Sequence, residues 1–150
     1  MKLSKISWAV VLLAACSVGE ASDRQYVVKP RAGDRSSLPF SEGVLVGNTL
    51  YIAGHIGLDA KTNMPPASAE EEARFVMEEI KQTVEAAGLT MDEVVLMQVY
   101  CTDLKLYDLF NAVYRTYFQG KFPARAFLGI DKLLRNGRYE VMGIAIKKEQ

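Results

Sequence analysis

Residues 94–117 read VVLMQVYCTDLKLYDLFNAVYRTY, and the hydrophobic period changes partway along them. Val94–Cys101 is rich in β-branched and aromatic residues, the composition of a strand. From Leu106 the apolar positions recur as Leu106, Leu109, Phe110, Val113, Tyr114 and Tyr117, a helical spacing. One strand feeding one helix sets an α+β reading, and the flanking segments extend it in both directions.

Upstream, Gly47-Asn48 separates the apolar runs Phe40–Val46 and Thr49–His55, which reads as a hairpin. Residues 57–67 carry Asn63, Pro65 and Pro66 and read as a loop. Ser68 with Glu71 three residues on resembles a capping box. Ala73, Val76, Met77, Ile80, Val84 and Ala87 then follow at helical spacing, and Gly88 stops the helix. Glu70, Glu71 and Glu72 crowd its first turn, where negative charge favours the helix dipole.

Downstream, Gly120 ends the second helix and Ala124–Ile130 is the next strand. Asn136-Gly137 is a hairpin turn signal before the last strand, Arg138–Lys147. With a short edge strand over Gln25–Lys29, the order is β-β-β-α-β-α-β-β. One mixed sheet with two helices on one face satisfies this order. The other face carries apolar residues too, so self-association is expected to bury it.

The chain of 150 residues suffices for one domain with a real core. Its 18 basic and 18 acidic residues balance, and no long run of like charge appears, so nucleic acid is not expected as the main partner. Residues 1–21 read as a targeting segment. Lys2 and Lys5 precede an apolar stretch from Ile6 to Ala15, too short to span a bilayer comfortably. Leu13-Ala14-Ala15-Cys16 resembles a lipobox with Cys16 as the lipidated residue, and Gly19-Glu20-Ala21 offers an ordinary cleavage site instead. Either route makes the protein exported and periplasmic. The first would anchor it to the outer membrane as a lipoprotein, its only expected membrane contact. Residues 22–37 then form a tether with its edge strand, and 38–150 the folded domain.

Cys101 is the one thiol outside the targeting segment, so no intrachain disulfide is expected. His55 is the one histidine, and a lone His with a lone Cys cannot supply three or four N/S ligands to zinc. No metal is expected.

Two charged residues sit in apolar strands. Arg125 shares a strand face with Phe127, and Glu140 shares one with Met142, Ile144 and Ile146. Charges in such places are costly unless paired or hydrogen-bonded. The Asn136-Gly137 turn makes the two strands neighbours, although simple pairing sets Glu140 opposite Leu133 rather than Arg125. A meeting at the sheet's end or across a subunit boundary remains open, as does a plain ion pair that fixes an interface. His55 reads as a pocket acid/base or a polar strand cap, Asn111 as a pocket amide or a helix-surface one, and Cys101 as a small strand residue. No Gly-rich phosphate loop, nucleophile elbow or HExxH motif is present.

Six stretches in order resemble the Rid family (RidA, also called YjgF, the reactive-intermediate imine deaminases). They are LPFSEGVLVGNTLYIAGHIGLD, VEAAGLTMDEVV, VYCTDL, FNAVYRTYF, FPAR and YEVMGIAI. The resemblance runs from about Leu38 to Lys147 and implies a chorismate-mutase-like homotrimer with pockets between subunits. It implies hydrolysis of 2-imino or 2-enamino acids to 2-keto acids and ammonia, without a cofactor because the imine is already electrophilic. By position, Arg125 matches the residue that grips the substrate carboxylate, a task that suits a planar guanidinium. Glu140 matches the residue that holds or activates water, Asn111 a pocket amide, and Gly54 the cleft lining. The sequence departs from the pattern at Phe40, where Tyr is frequent, at Ala53, where Ser is found, and at Phe127, where Cys is common. These changes predict a more apolar, differently shaped pocket and an altered substrate. A second implied reading is a non-catalytic trimeric module that binds small carboxylates. Ribonuclease activity, attached to some relatives, fits the charge balance and the single histidine least.

Overall fold

The architecture follows from how strand 94–101 is used. In the computed structural model, which describes residues 23–28 and 39–148, it is the second strand from one edge of a six-stranded sheet. The strands are β1 (Arg24–Val27), β2 (Gly43–Val46), β3 (Thr49–Ile56), β4 (Val94–Cys101), β5 (Ala124–Gly129) and β6 (Tyr139–Ile146). The helices are α1 (Ala69–Ala86) and α2 (Tyr107–Tyr114), α2 being flanked by 3-10 turns at Leu104–Leu106 and Arg115–Tyr117. The element order is the expected one. The targeting segment with Cys16, and most of the tether, lie outside the described residues.

Sheet order is β1-β2-β3-β6-β4-β5, with β4 parallel to β5 and antiparallel to β6. This corrects the expected hairpin. A helix between two strands provides the crossover that parallel pairing needs, so α2 returns the chain beside β4 and β5 takes the edge. Residues 130–138 must then pass β4 to reach β6. Asn136-Gly137 makes no two-residue turn there. Leu134–Asn136 forms a 3-10 turn with Arg135 at φ 58° and Asn136 at φ 56°.

Local chemistry sets the helix ends. Ser68 Oγ accepts from the Glu71 N–H at 3.3 Å, satisfying one orphan donor of α1. Gly88 adopts φ 77°, and Leu89 N–H donates back to Val84 C=O at 3.1 Å. Ala73, Val76, Met77, Ile80 and Val84 of α1 are buried, together with Leu50, Ile52, Met97, Val99, Val141 and Ala145 of the sheet. Burial stabilises each such large aliphatic side chain by roughly 1.5–3 kcal/mol.

Both helices pack on the same face of the sheet. Among the described residues nothing covers the opposite face, with Tyr51 52%, Leu128 41% and Ile146 41% exposed. A row of apolar side chains in water of this kind marks an association surface.

One buried ion pair locks the sheet to α1. Glu72 is 0% exposed, and its Oε2 accepts from Arg138 Nη1 at 2.6 Å. Its Oε1 accepts from the backbone N–H groups of Arg138 and Tyr139, and Arg138 also donates to the carbonyls of Pro66 and Ala67. Glu72 therefore does more than favour the helix dipole. It pins the start of β6.

Candidate active site

The polar residues singled out in the sequence fall into two groups on opposite faces of the sheet. On α2, Tyr107, Asn111, Tyr114 and Arg115 stand at i, i+4, i+7 and i+8, so they share one stripe. That stripe faces the start of β5 across a cavity of about 180 Å³, closed on the other side by Phe122, Pro123 and Arg125.

Arg125 is held by aromatic faces. Its guanidinium carbon lies 4.6 Å from the Tyr114 ring centroid and 5.7 Å from those of Tyr107 and Phe127. Nη2 donates to Tyr107 Oη at 3.4 Å. Among the described residues no carboxylate lies within ion-pair distance of it. Burial pushes the Tyr114 phenol up to about 12, with Arg125 pulling weakly the other way, so the hydroxyl stays protonated. That hydroxyl is buried without a hydrogen-bond partner among the described residues.

Phe127 does not line this cavity; it packs behind Tyr107, one of the residues that do. Its ring packs edge-on against Tyr107 at 5.0 Å and against Phe110 at 5.6 Å, tying the strand to the core. The apolar part of the cavity lining comes from Tyr114, Phe122 and Pro123 instead.

The second group centres on Glu140. A β-bulge lies between Ile52 and His55, where β3 spends one more residue than β6. It turns Gly54 outward, and a Cβ there would run into Glu140 Oε1. Gly54 thus leaves room for the carboxylate. Burial raises the Glu140 pKa above its ordinary 4.5, making it a better proton acceptor than a solvated glutamate. Ala53 is half-buried and its N–H donates to Glu42 C=O at 3.0 Å. Phe40 precedes β2 in a bend and is 56% exposed.

Strand register separates the two groups. Met97 pairs with Arg125 on one side and Gly143 on the other, whereas Tyr100 pairs with Leu128 and Glu140. Side chains in neighbouring paired positions point the same way, and successive residues alternate. Met97 is buried beneath the helices, so Arg125 lies on the helix-covered face and Glu140 on the uncovered one. Within one chain β4 stands between them.

His55 belongs to neither group. The bulge turns it inward, 5% exposed, with Nδ1 3.4 Å from Glu42 Oε2 and Nε2 3.3 Å from both Glu42 C=O and Thr83 Oγ1. Neither a strand-end cap nor a pocket acid/base describes it; it sits under α1. Ligand atoms of Glu42, His55 and Glu79 all lie within 4.8 Å of one another. Counting only N and S ligands overlooked these carboxylates, which are ligand types for hard divalent ions. Cys101 is buried and donates to Asp103 C=O, and burial raises its thiol pKa, as suits an inert strand residue.

Sequence reasoning missed Tyr107, Tyr114 and Arg115 as site residues. The signal is their spacing from Asn111, while the helical period counts Tyr114 among the apolar positions.

A family model described as Endoribonuclease L-PSP matches residues 34–147. A RutC family protein of Saccharolobus solfataricus is 43% identical over 110 residues, 73% of this chain and 87% of that protein. The 2-iminobutanoate/2-iminopropanoate deaminase of Bos taurus is 37% identical over 110 residues, 73% of this chain and 80% of that one. Among solved structures, the E. coli YjgF gene product superposes with a TM-score of 0.75 at 29% identity, covering 83% of this chain and 99% of that chain. E. coli TdcF with bound serine gives 0.73 at 27% identity, covering 83% and 100%.

Proposed function

The chain belongs to the Endoribonuclease L-PSP family, the Rid proteins, and from that premise we propose that it hydrolyses 2-imino acids in pockets completed between copies of itself in a homotrimer. The observation that carries this reading is the division of the site. Among the described residues, a guanidinium without a carboxylate partner lies on one sheet face, and a carboxylate with a raised pKa lies on the other. Neither reaches the other in one chain. The uncovered apolar face gives a second copy a surface to cover.

In this mechanism the Arg125 fork holds the substrate carboxylate. Asn111, one helical turn from both Tyr107 and Arg115, lines the same cavity. The partner's Glu140 holds a water and takes its proton as the oxygen adds to C2. Glu140 passes that proton to the nitrogen. The C2–N bond breaks as the added hydroxyl becomes the carbonyl and gives its proton to the leaving nitrogen, ammonia leaves, and a 2-keto acid remains. Water supplies the oxygen, and no electrons change hands.

Mixing variants tests this directly. Arg125→Ala and Glu140→Ala homotrimers should each release ammonia about 100-fold more slowly than wild type. Co-refolded in equal amounts, they regain about a quarter of wild-type ammonia release, the random fraction of interfaces carrying both intact groups. No recovery, with assembly shown by light scattering, overturns the shared site.

One observation favours the binding-module reading. Phe40, Ala53 and Phe127 bring no hydrogen-bonding side-chain atom to the pocket. Calorimetric binding of 2-keto acids to the wild type, lost in Arg125→Ala, with no ammonia released from any 2-imino acid, would establish it.

We also infer export. The family match begins at residue 34, and the charged-then-apolar pattern of residues 1–21 precedes it. Cys16→Ala should move the protein from the membrane fraction to the soluble periplasm; unchanged partitioning removes the lipid anchor.

A further inference from the structure

The cavity beside Arg125 contains a second guanidinium. Arg115 stands four residues after Asn111 on the same stripe of α2 and lines the same walls. Its guanidinium carbon lies 5.7 Å from the Phe122 ring centroid, while Arg125 lies 4.6 Å from that of Tyr114. Phe122 and Tyr114 stack on each other, with centroids 6.1 Å apart and planes at 30°, so the two cations are held by one aromatic pair. The lining contains these two arginines and no acidic residue. Among the described residues, neither arginine has a carboxylate within ion-pair distance.

We propose that this cavity is a two-anion site, selecting ligands with a second carboxylate beyond the one at C1: four- and five-carbon 2-imino dicarboxylic acids and their 2-keto products. This rests on the deaminase reading for turnover but not for binding. Two like charges facing one cavity repel when it is empty, and a dianion relieves that repulsion at both ends. A guanidinium stacked on an aromatic ring is already oriented, so less side-chain entropy is lost on binding. Apolar walls formed by Tyr114, Phe122 and Pro123 suit the short methylene chain between the carboxylates. For an imino diacid the reaction keeps the same balance. Water adds at C2, the C2–N bond breaks, ammonia leaves, and the distal carboxylate is untouched.

The test is calorimetric titration of the full-length assembled protein with 2-oxoglutarate and with 2-oxobutanoate. The two ligands share a 2-keto acid head and differ in the distal carboxylate. Wild type should bind 2-oxoglutarate about tenfold more tightly, the scale of one added charge-assisted contact. In Arg115→Gln that ratio should fall to about one, and Arg115→Lys, which keeps the charge but not the stacked planar fork, should keep only part of it. Lys81→Gln, which removes the same charge from α1, should keep the full ratio. Equal affinities in wild type overturn the proposal. So does Arg115→Gln lowering both affinities alike, or Lys81→Gln lowering the ratio as much.

Ammonia release from 2-iminoglutarate and 2-iminobutanoate, generated in situ, separates the two levels. Selective dianion binding with no turnover of either imine defeats the deaminase reading and leaves the two-anion site standing. Turnover of both imines at equal kcat/KM with equal binding defeats the two-anion site and leaves the deaminase reading. Absence of binding for both keto acids defeats the two-anion site, and absence of ammonia release from both imines as well defeats the deaminase reading.

Discussion

Two glutamate–arginine combinations sit in this domain, and they are used in opposite ways. Glu72 and Arg138 meet within one chain at 2.6 Å, and the carboxylate also accepts two backbone N–H groups. Arg125 and Glu140 occupy equally apolar strands but point to opposite faces of the sheet. The first pair is fully satisfied, so it holds structure and has no capacity left for a ligand. The second is left incomplete: a cation cushioned by rings and a carboxylate seated against a glycine. The contrast teaches that residue type and apolar surroundings do not separate scaffold from site. Completeness of partners does.

The largest expected effect comes from breaking the satisfied pair. Glu72→Ala leaves Arg138 and two buried N–H groups without their acceptor, and should cost about 3–5 kcal/mol of stability in urea denaturation. Arg125→Ala should do the reverse. Ammonia release or keto-acid binding should fall about 100-fold, as expected when a substrate clamp is removed, with an unfolding midpoint close to wild type. If Arg125→Ala proves as destabilising as Glu72→Ala, the contrast collapses and Arg125 is structural.

Glu140→Gln sharpens the comparison through pH. The Glu140 pKa is raised by burial, so folding favours its protonated form. Its contribution to stability is therefore most favourable below the ordinary carboxylate range and is lost as pH rises through its raised pKa. At neutral pH the glutamine variant should be at least as stable as wild type while losing about 100-fold in rate. In wild type the rate should fall as pH drops through that raised pKa, placing the acid limb above the ordinary value of 4.5. A limb at or below it, or a glutamine variant less stable than wild type, would count against the role. The smallest effect belongs to Gly54→Ala. The added methyl displaces only the end of the Glu140 side chain, so kcat should drop several-fold, by about 1 kcal/mol of transition-state stabilisation, without a change in melting temperature.

Much of the fold was legible because its signals are local. Ser68 and Gly88 bound α1 through hydrogen bonds within a few residues, and the periods of 94–117 name a strand and a helix. What escaped was non-local. Nothing near Asn136-Gly137 reveals that α2 has already committed β5 to the far side of β4. Strict alternation sets Ile52 and Gly54 on one face and His55 on the other. One extra residue in β3 reverses that, burying His55 and exposing Gly54. Glu72 resembled its neighbours Glu70 and Glu71, since only the distant Arg138 gives it its task. At the site, Arg125 and Glu140 stood out as charges in apolar strands and Asn111 as a candidate amide, their roles came from resemblance, and the aromatic clamp required α2 and β5 to be seen together.

On the proposed shared site, the division of Arg125 and Glu140 between sheet faces also makes turnover depend on protein concentration. A lone chain carries an anion clamp facing one way and a carboxylate facing the other, so dilution below the assembly's dissociation constant should extinguish catalysis.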